Sequence, residues 1–311
     1  MKIGIIGIGD IAKKAYLPVM TRKKGVEIIL CSRNANQLKE ISETYHGLRF
    51  VTNLKALIAE QIDAAFVHAS TEAHFEICKE LLDAGIHVYV DKPISYHAYN
   101  TSQLYQLAKE KDRILRVGFN IREAPLIKNL KELDKPDIVI IQKNRIALPS
   151  NIRSVILDDF IHVVDTLCFL LEDDIISYQV KGTMKGDLLS SVTLQLIGKR
   201  GTAIGIMHRD SGKNEERLEF ICPGEKRIIE DLNNLTIYKE GMEIRHKFGD
   251  WESVLFRRGF EQITDRFLND VNEVNAFMIQ DEVSLVTHDI CEDIILKLEK
   301  NNSCRNEDKP L

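Results

Sequence analysis

The chain has no C-x-x-C pair and no apolar run approaching membrane-spanning length. The first absence matters because six cysteines are present, at positions 31, 78, 168, 222, 291 and 304. Several sit in apolar segments, so they read as free thiols of a reducing compartment, without a disulfide framework. The second absence argues against a membrane-spanning helix. Met1 leads directly into an apolar strand, which leaves no room for a leader, and a cytoplasmic protein is the expectation. Positive charge is also short: 42 Lys and Arg against 47 Asp and Glu give a net charge of −5, which argues against nucleic acid or an anionic membrane as partner. The basic clusters Lys13-Lys14 and Arg22-Lys23-Lys24 read as solvated helix faces. There is no internal repeat, no low-complexity segment, and no third ligand that would complete a His/Asp metal site.

What is present is the composition of a globular protein, 44% hydrophobic and 29% charged over 311 residues, a length that suggests two domains. Up to Gly118, short apolar runs (2–6, 26–31, 49–51, 63–68, 87–90 and 114–118) alternate with helical patterns (11–21, 35–45, 54–59, 71–84 and 96–111). That alternation predicts an α/β Rossmann domain over residues 1–118, a parallel sheet with helices on both faces. Beyond it the texture changes. A helix at 124–133, a strand at 137–144 and a helix near 157–171 precede a series of longer strands joined by short Gly- and Asn-rich turns, and helical patterns return at 256–270 and 283–300. Such turns imply antiparallel pairing, so residues 119–300 are expected to form an α+β domain on a large, open, mostly antiparallel sheet. The polar segment 301–311 is expected to be disordered.

Gly7-Ile8-Gly9-Asp10-Ile11-Ala12 follows the first strand and opens the first helix, a G-x-G-x-x-A pattern. The first glycine allows a tight turn, the second lets a pyrophosphate approach the backbone, and the small third residue lets helix pack on strand. Asp10 is expected to cap the helix, since a carboxylate aimed at a pyrophosphate would repel it. The second strand ends in Cys31-Ser32-Arg33-Asn34, without the acidic residue that would hold a ribose 2′-hydroxyl. Ser32 and Arg33 suit a 2′-phosphate instead, which favours NADP over NAD.

Two further features carry chemistry. Lys92 sits in Asp91-Lys92-Pro93 at the end of an apolar strand, and residues 158–165 read Asp-Asp-Phe-Ile-His-Val-Val-Asp. In an α-helix Asp158, His162 and Asp165 share one face, flanked by apolar neighbours. Buried carboxylates and imidazoles are costly unless paired or used. An imidazole titrating near neutrality can take the proton of a hydroxyl as hydride leaves the carbon, and a lysine ammonium can stabilise the developing alkoxide. Asp159 points off this stripe and is given no role.

With the Rossmann glycines, Asp91-Lys92-Pro93, Val117-Gly118-Phe119-Asn120 and Asp158-x-x-x-His162-x-x-Asp165 in this order, the chain resembles the Gfo/Idh/MocA oxidoreductases over nearly its whole length. Phe66-Val67-His68-Ala69-Ser70-Thr71, Met207-His208-Arg209 and Arg258-Gly259-Phe260 resemble the MviM-type branch most. The resemblance implies a Rossmann domain, an open-sheet domain, an active site between them, and a catalytic set of Lys92, Asp158 and His162, with a Lys92–Pro93 bond that tends to be cis. It also implies a sugar- or polyol-like small-molecule substrate. Ala69 and Ser70 fall where the family passes the nicotinamide ribose, and His74, one turn into the next helix, is a candidate cofactor contact. Asp91, in place of the common glutamate, could still hydrogen-bond the cofactor. Asn120 and Arg122 are candidates for nicotinamide or substrate contact, or for an interdomain hinge. Asp165 reads as structural or as a substrate contact; His208 and Arg209 are candidates to read an anionic or hydroxylated substrate. Ser154-Val155-Ile156-Leu157 replaces a stretch that is usually glycine-rich, which bears on how substrate enters. A homodimer or homotetramer through the second-domain sheet is expected. The rival readings are a sensor that binds NADP(H) without turnover, and transient oxidation that drives elimination or glycoside cleavage.

Overall fold

The structure, a computed structural model, describes residues 1–45, 47–273 and 281–307. They fall into two compact units, Met1–Asn120 with Phe260–Leu285, and Ile121–Gly259 with the chain from Val286 on.

In the first unit six strands, β1 (Lys2–Ile6), β2 (Glu27–Cys31), β3 (Arg49–Val51), β4 (Ala64–Val67), β5 (His87–Val90) and β6 (Leu115–Val117), form one sheet in the order β3-β2-β1-β4-β5-β6. Every pairing is parallel. Parallel strands covered on both faces need unbroken apolar runs, and Ile3, Ile5, Ile29, Phe66, Val67 and Tyr89 are all completely buried. The order reverses between β1 and β4, the crevice where doubly wound sheets take a dinucleotide. The helix Phe260–Glu273, which its place in the chain assigns to the second domain, packs in this unit instead. Its Phe267 ring lies edge-on to Phe66 with centroids 5.2 Å apart, and its Asp270 pairs with Arg116.

The second unit carries eight strands, β7 (Ile138–Asn144), β8 (Ile175–Lys185), β9 (Leu188–Gly198), β10 (Thr202–His208), β11 (Glu215–Cys222), β12 (Glu225–Glu230), β13 (Asn234–Lys239) and β14 (Met242–Lys247). They form one sheet in the order β14-β13-β12-β11-β7-β10-β9-β8. All pairs are antiparallel except β7 with β10. The helix Ile161–Leu171 covers one face. A Cβ added at Gly205 of β10 would lie 2.8 Å from Val163 and 3.0 Å from Leu167 of that helix, so the strand needs glycine there for close approach. The helix expected at 124–133 is two short turns, Pro125–Lys128 and Asn129–Glu132, and Ala124, held out of the helical region ahead of Pro125, separates them from the turn Asn120–Glu123. The last helix, Glu282–Glu307, runs into the segment expected to be disordered; residues 308–311 of that segment lie outside the described ones. No helix among the described residues is long and apolar enough to cross a membrane.

Candidate active site

The turn after β1 is fixed by packing on one side and open on the other. Gly7 has φ +81°, and a Cβ there would lie 2.5 Å from the Ala69 nitrogen, so the loop lies directly against the exit of β4. At Gly9 an added Cβ would find only the His68 carbonyl, 4.0 Å away. The protein does not need glycine at that point, and the space suits a pyrophosphate against the backbone. Gln37 Nε2 ties the loop down by donating to the Ile8 carbonyl at 2.7 Å. Asp10 is not the cap. The Lys13 amide bonds the Gly9 carbonyl at 3.1 Å, which puts Asp10 inside the first turn, where its carboxylate takes Lys14 at 2.7 Å. The hydrogen bond and charge of that ammonium hold the pKa of the exposed Asp10 below the usual carboxylate value. Ile11 is exposed, and Ala12 is buried at the start of a π-helical turn, Ala12–Tyr16.

At the exit of β2, Ser32 Oγ accepts from the Asn34 amide at 3.2 Å, and Asn34 caps the next helix by accepting from Gln37. Arg33 is exposed and makes no side-chain bond to another described residue.

The Asp91-Lys92-Pro93 step leaves the end of β5 through a cis Lys92–Pro93 bond. Two histidines brace it. His68 at the end of β4 meets Asp91 Oδ2 from Nδ1 at 2.7 Å, and its ring stacks on Tyr16 with centroids 4.1 Å apart. His74 is buried with Nδ1 2.9 Å from the Pro93 carbonyl and Nε2 2.9 Å from the Ala69 carbonyl. The ring expected to contact a cofactor is thus a strut between two loops of its own unit. Below Asp91, the Tyr16 and Tyr89 hydroxyls share a 2.7 Å bond. Burial first, then Tyr89 and Asp91, push the Tyr16 phenol well above its ordinary range. Gly118 leaves room for this cluster: a Cβ there would lie 3.0 Å from the Tyr89 hydroxyl and 3.2 Å from Asp91 Oδ1. Asn120 is buried at the end of the first stretch of this unit, and Ser70 is exposed at the start of the helix Thr71–Asp83.

In the second unit the polar stripe is not uniformly buried. Residues Val155–Phe160 wind as a π-helical turn before the α-helix Ile161–Leu171 begins, and such turns recur at functional positions. Asp158 is exposed, His162 half-buried and Asp165 fully buried. Asp165 is held by Arg122, whose Nε donates to Oδ2 at 2.8 Å while Nη2 donates to Oδ1, and by Thr287 Oγ1 at 3.2 Å. Arg122 and Asp165 therefore complete one another inside the unit. Breaking such a pair strands a buried charge, a loss on the order of 3–5 kcal/mol.

His162 lines a cavity of about 40 Å³ with Ile141, Lys143, Val163, Glu216 and Leu218. Lys143, which sequence reasoning missed, sits in β7 on the same face as buried Val139 and Ile141; the alternation Val-x-Ile-x-Lys was the available signal. Across the register it faces Glu216. Asp159, given no role by the sequence, pairs with Lys143 at 2.8 Å and Arg209 at 2.6 Å, with Arg145 at 3.5 Å. Glu216 takes Arg258 at 2.9 Å, Arg145 at 3.3 Å and Lys143 at 3.5 Å. Burial would raise the Glu216 carboxyl, but Lys143, Arg258 and Arg145 outweigh it and bring it down to about 2. Burial opposes the same cation effect at Asp159, and it too is lowered. His208 is exposed at the end of β10 and accepts the Asp210 amide at 3.1 Å.

Among the described residues no group of three or more His, Cys, Asp and Glu is arranged to hold a metal ion. Cys31, Cys78, Cys168, Cys222 and Cys291 are free thiols.

Residues 1–119 match an oxidoreductase family with an NAD-binding Rossmann fold, GFO_IDH_MocA, and residues 125–240 match a YceM-like C-terminal domain. A Salmonella typhimurium protein named as the oxidoreductase YceM is 32% identical over 87% of this chain and 89% of its own length. The solved structure of the dehydrogenase MviM from Clostridium difficile superposes with a TM-score of 0.88, at 32% identity over 96% of this chain and 99% of that one. UDP-N-acetylglucosamine 3-dehydrogenase from Acidithiobacillus ferrooxidans is 25% identical over 78% of both chains.

Proposed function

The chain belongs to the Gfo/Idh/MocA oxidoreductase family, and from that premise we propose that it transfers hydride between NADP(H) and a hydroxyl- or keto-bearing carbon of a small sugar- or polyol-like molecule. The observation that supports this most is the bracing of the Asp91-Lys92-Pro93 step, with His68 on the Asp91 carboxylate and His74 against the Pro93 carbonyl. A lysine in a loop with no task has no need of two buried histidines beneath it.

Gly7, Gly9, Ile11 and Ala12 form the floor for the pyrophosphate, with Ala69, Ser70 and Asn120 toward the nicotinamide half and Ser32 and Arg33 toward the adenine ribose. When bound, the nicotinamide ring accepts or supplies the hydride. His162 takes the hydroxyl proton in oxidation and returns it in reduction, and Asp158, about one turn earlier, orients the imidazole and favours its charged form. The Lys92 ammonium donates a hydrogen bond to the substrate oxygen and stabilises its negative charge as it develops. The UDP-N-acetylglucosamine 3-dehydrogenase named above acts on a sugar derivative, which fits this substrate class. The outer face of the eight-stranded sheet is the surface through which we infer self-association.

The test mixes the protein with NADPH and a panel of keto-sugars and keto-polyols while absorbance at the nicotinamide band is followed. Consumption with any member supports the dehydrogenase. NADPH binding without consumption across a wide panel contradicts it and favours a redox sensor.

A further inference from the structure

We propose that the substrate carries an oxyanion, a carboxylate or phosphate, and that Lys143, Arg145 and Arg209 bind it beside His162. The inference rests on the dehydrogenase reading above and narrows its substrate class.

The sheet face under the helix Ile161–Leu171 is apolar at Val139, Ile141, Leu194 and Met207, yet β7 places Lys143 there with its side chain only 6% exposed. A lysine in such a place loses hydration and must recover it from fixed partners. Its partners are Asp159 at 2.8 Å and Glu216 at 3.5 Å. The same two carboxylates also serve Arg145, at 3.5 and 3.3 Å, and Asp159 serves Arg209, at 2.6 Å. Three cations thus share two carboxylates, and Arg258 adds a further guanidinium on Glu216. Both carboxyls are held below their ordinary values, so both are ionised at neutral pH and together offset only two of the four basic groups around them. The positive excess is local, in a chain whose net charge is −5.

A positive excess among side chains exposed by 6, 12 and 23% is costly unless an anion completes it. Arg209 has capacity in hand. Nη1 is on Asp159 and Nε donates to the Leu148 carbonyl at 2.6 Å, while Nη2 bonds no other described residue. The cavity shared by Lys143 and His162, about 40 Å³, has room for roughly three water-sized groups, the size of a carboxylate. Its mostly apolar lining strengthens attraction between a bound anion and the ammonium. Neutral polyols would leave the excess charge unmet, so the corner sets specificity.

Calorimetry on the full-length protein loaded with NADPH tests this with inorganic phosphate, glucose 6-phosphate, gluconate and glucose as probes. At least one oxyanion probe is expected to bind 10-fold or more tighter than glucose, and R209Q to remove that preference while NADPH affinity is unchanged. Preference for glucose 6-phosphate and phosphate identifies a phosphate site, and preference for gluconate a carboxylate site. K143Q is the more direct variant but strands Asp159 and Glu216, so R209Q, which leaves Lys143 and Arg145 on Asp159, carries the decision if K143Q does not fold. Equal binding of all four probes, no binding by any, or an oxyanion preference that survives R209Q overturns the inference. Turnover of neutral keto-sugars with kcat/KM equal to their phosphorylated and carboxylated counterparts would overturn it while leaving the dehydrogenase standing. Oxyanion binding lost in R209Q, with no keto-compound turned over, would support the anion site and remove the dehydrogenase.

Discussion

His68 and Asp91 meet across 2.7 Å at the ends of neighbouring strands β4 and β5, directly before Lys92. An ionised carboxylate only accepts, so the histidine donates from Nδ1. The family more often has glutamate where Asp91 stands. H68A is expected to lower kcat by about 10- to 100-fold through misplacement of Lys92, with the KM for NADPH little changed. H68Q, which keeps a donor, should recover part of the loss. Thermal unfolding separates this from simple destabilisation: equal kcat losses in both variants, tracking Tm, would contradict the account.

Gly7 and Gly9 should fail in different ways. G7A forces a Cβ against the Ala69 backbone from a positive φ, so it should destabilise the fold by roughly 1–3 kcal/mol and weaken cofactor binding. G9A meets nothing nearer than 4.0 Å; its Tm should match wild type while NADPH affinity drops. An unchanged NADPH affinity in G9A would remove the pyrophosphate from this loop.

Arg33 is exposed, with no described partner. If it holds the 2′-phosphate, R33D should weaken NADPH by about 10- to 100-fold, the loss of one or two charge-assisted hydrogen bonds, and leave NADH affinity unchanged or raised. Parallel titrations by nicotinamide fluorescence decide this, and equal losses for both cofactors would contradict a 2′-phosphate role.

Glu216 makes a pH-dependent contribution to stability. Its carboxyl lies at about 2 in the folded chain against an ordinary 4.5, so its share is fully present above pH 4.5 and is lost as pH falls through 2. The shift corresponds to about 3 kcal/mol as an order of magnitude, since each pKa unit is about 1.4 kcal/mol. Urea midpoints between pH 7 and pH 3 should fall more steeply for the wild type than for E216Q. Parallel curves would show that the surrounding cations do not act on this carboxylate.

Much of this fold is legible because β1, β4 and β5 are unbroken apolar runs and the glycine pattern follows the first of them. Other features are not. A π-helical turn such as Val155–Phe160 leaves no mark in an apolar pattern that tolerates a residue of slippage, so Asp158 reads as buried with His162 although it is exposed. Phe267 shows an apolar face but not its partner, and it takes contacts such as its packing on Phe66 and the Arg116–Asp270 pair to assign its helix to the first unit. Lys143 was readable from strand alternation. Asp159, by contrast, depends on cations from β7 and from Arg209 just past β10, distant in sequence, which no local spacing reveals.

The central claim is that Lys92 and His162 do the acid–base work of hydride transfer, and single-turnover kinetics test it most directly. With a keto-substrate found in the panel and NADPH pre-bound, K92M and H162N should each slow the decay of nicotinamide absorbance by 100-fold or more. NADPH affinity should stay within about 3-fold of wild type. Hydride transfer at wild-type rate in either variant would contradict the account.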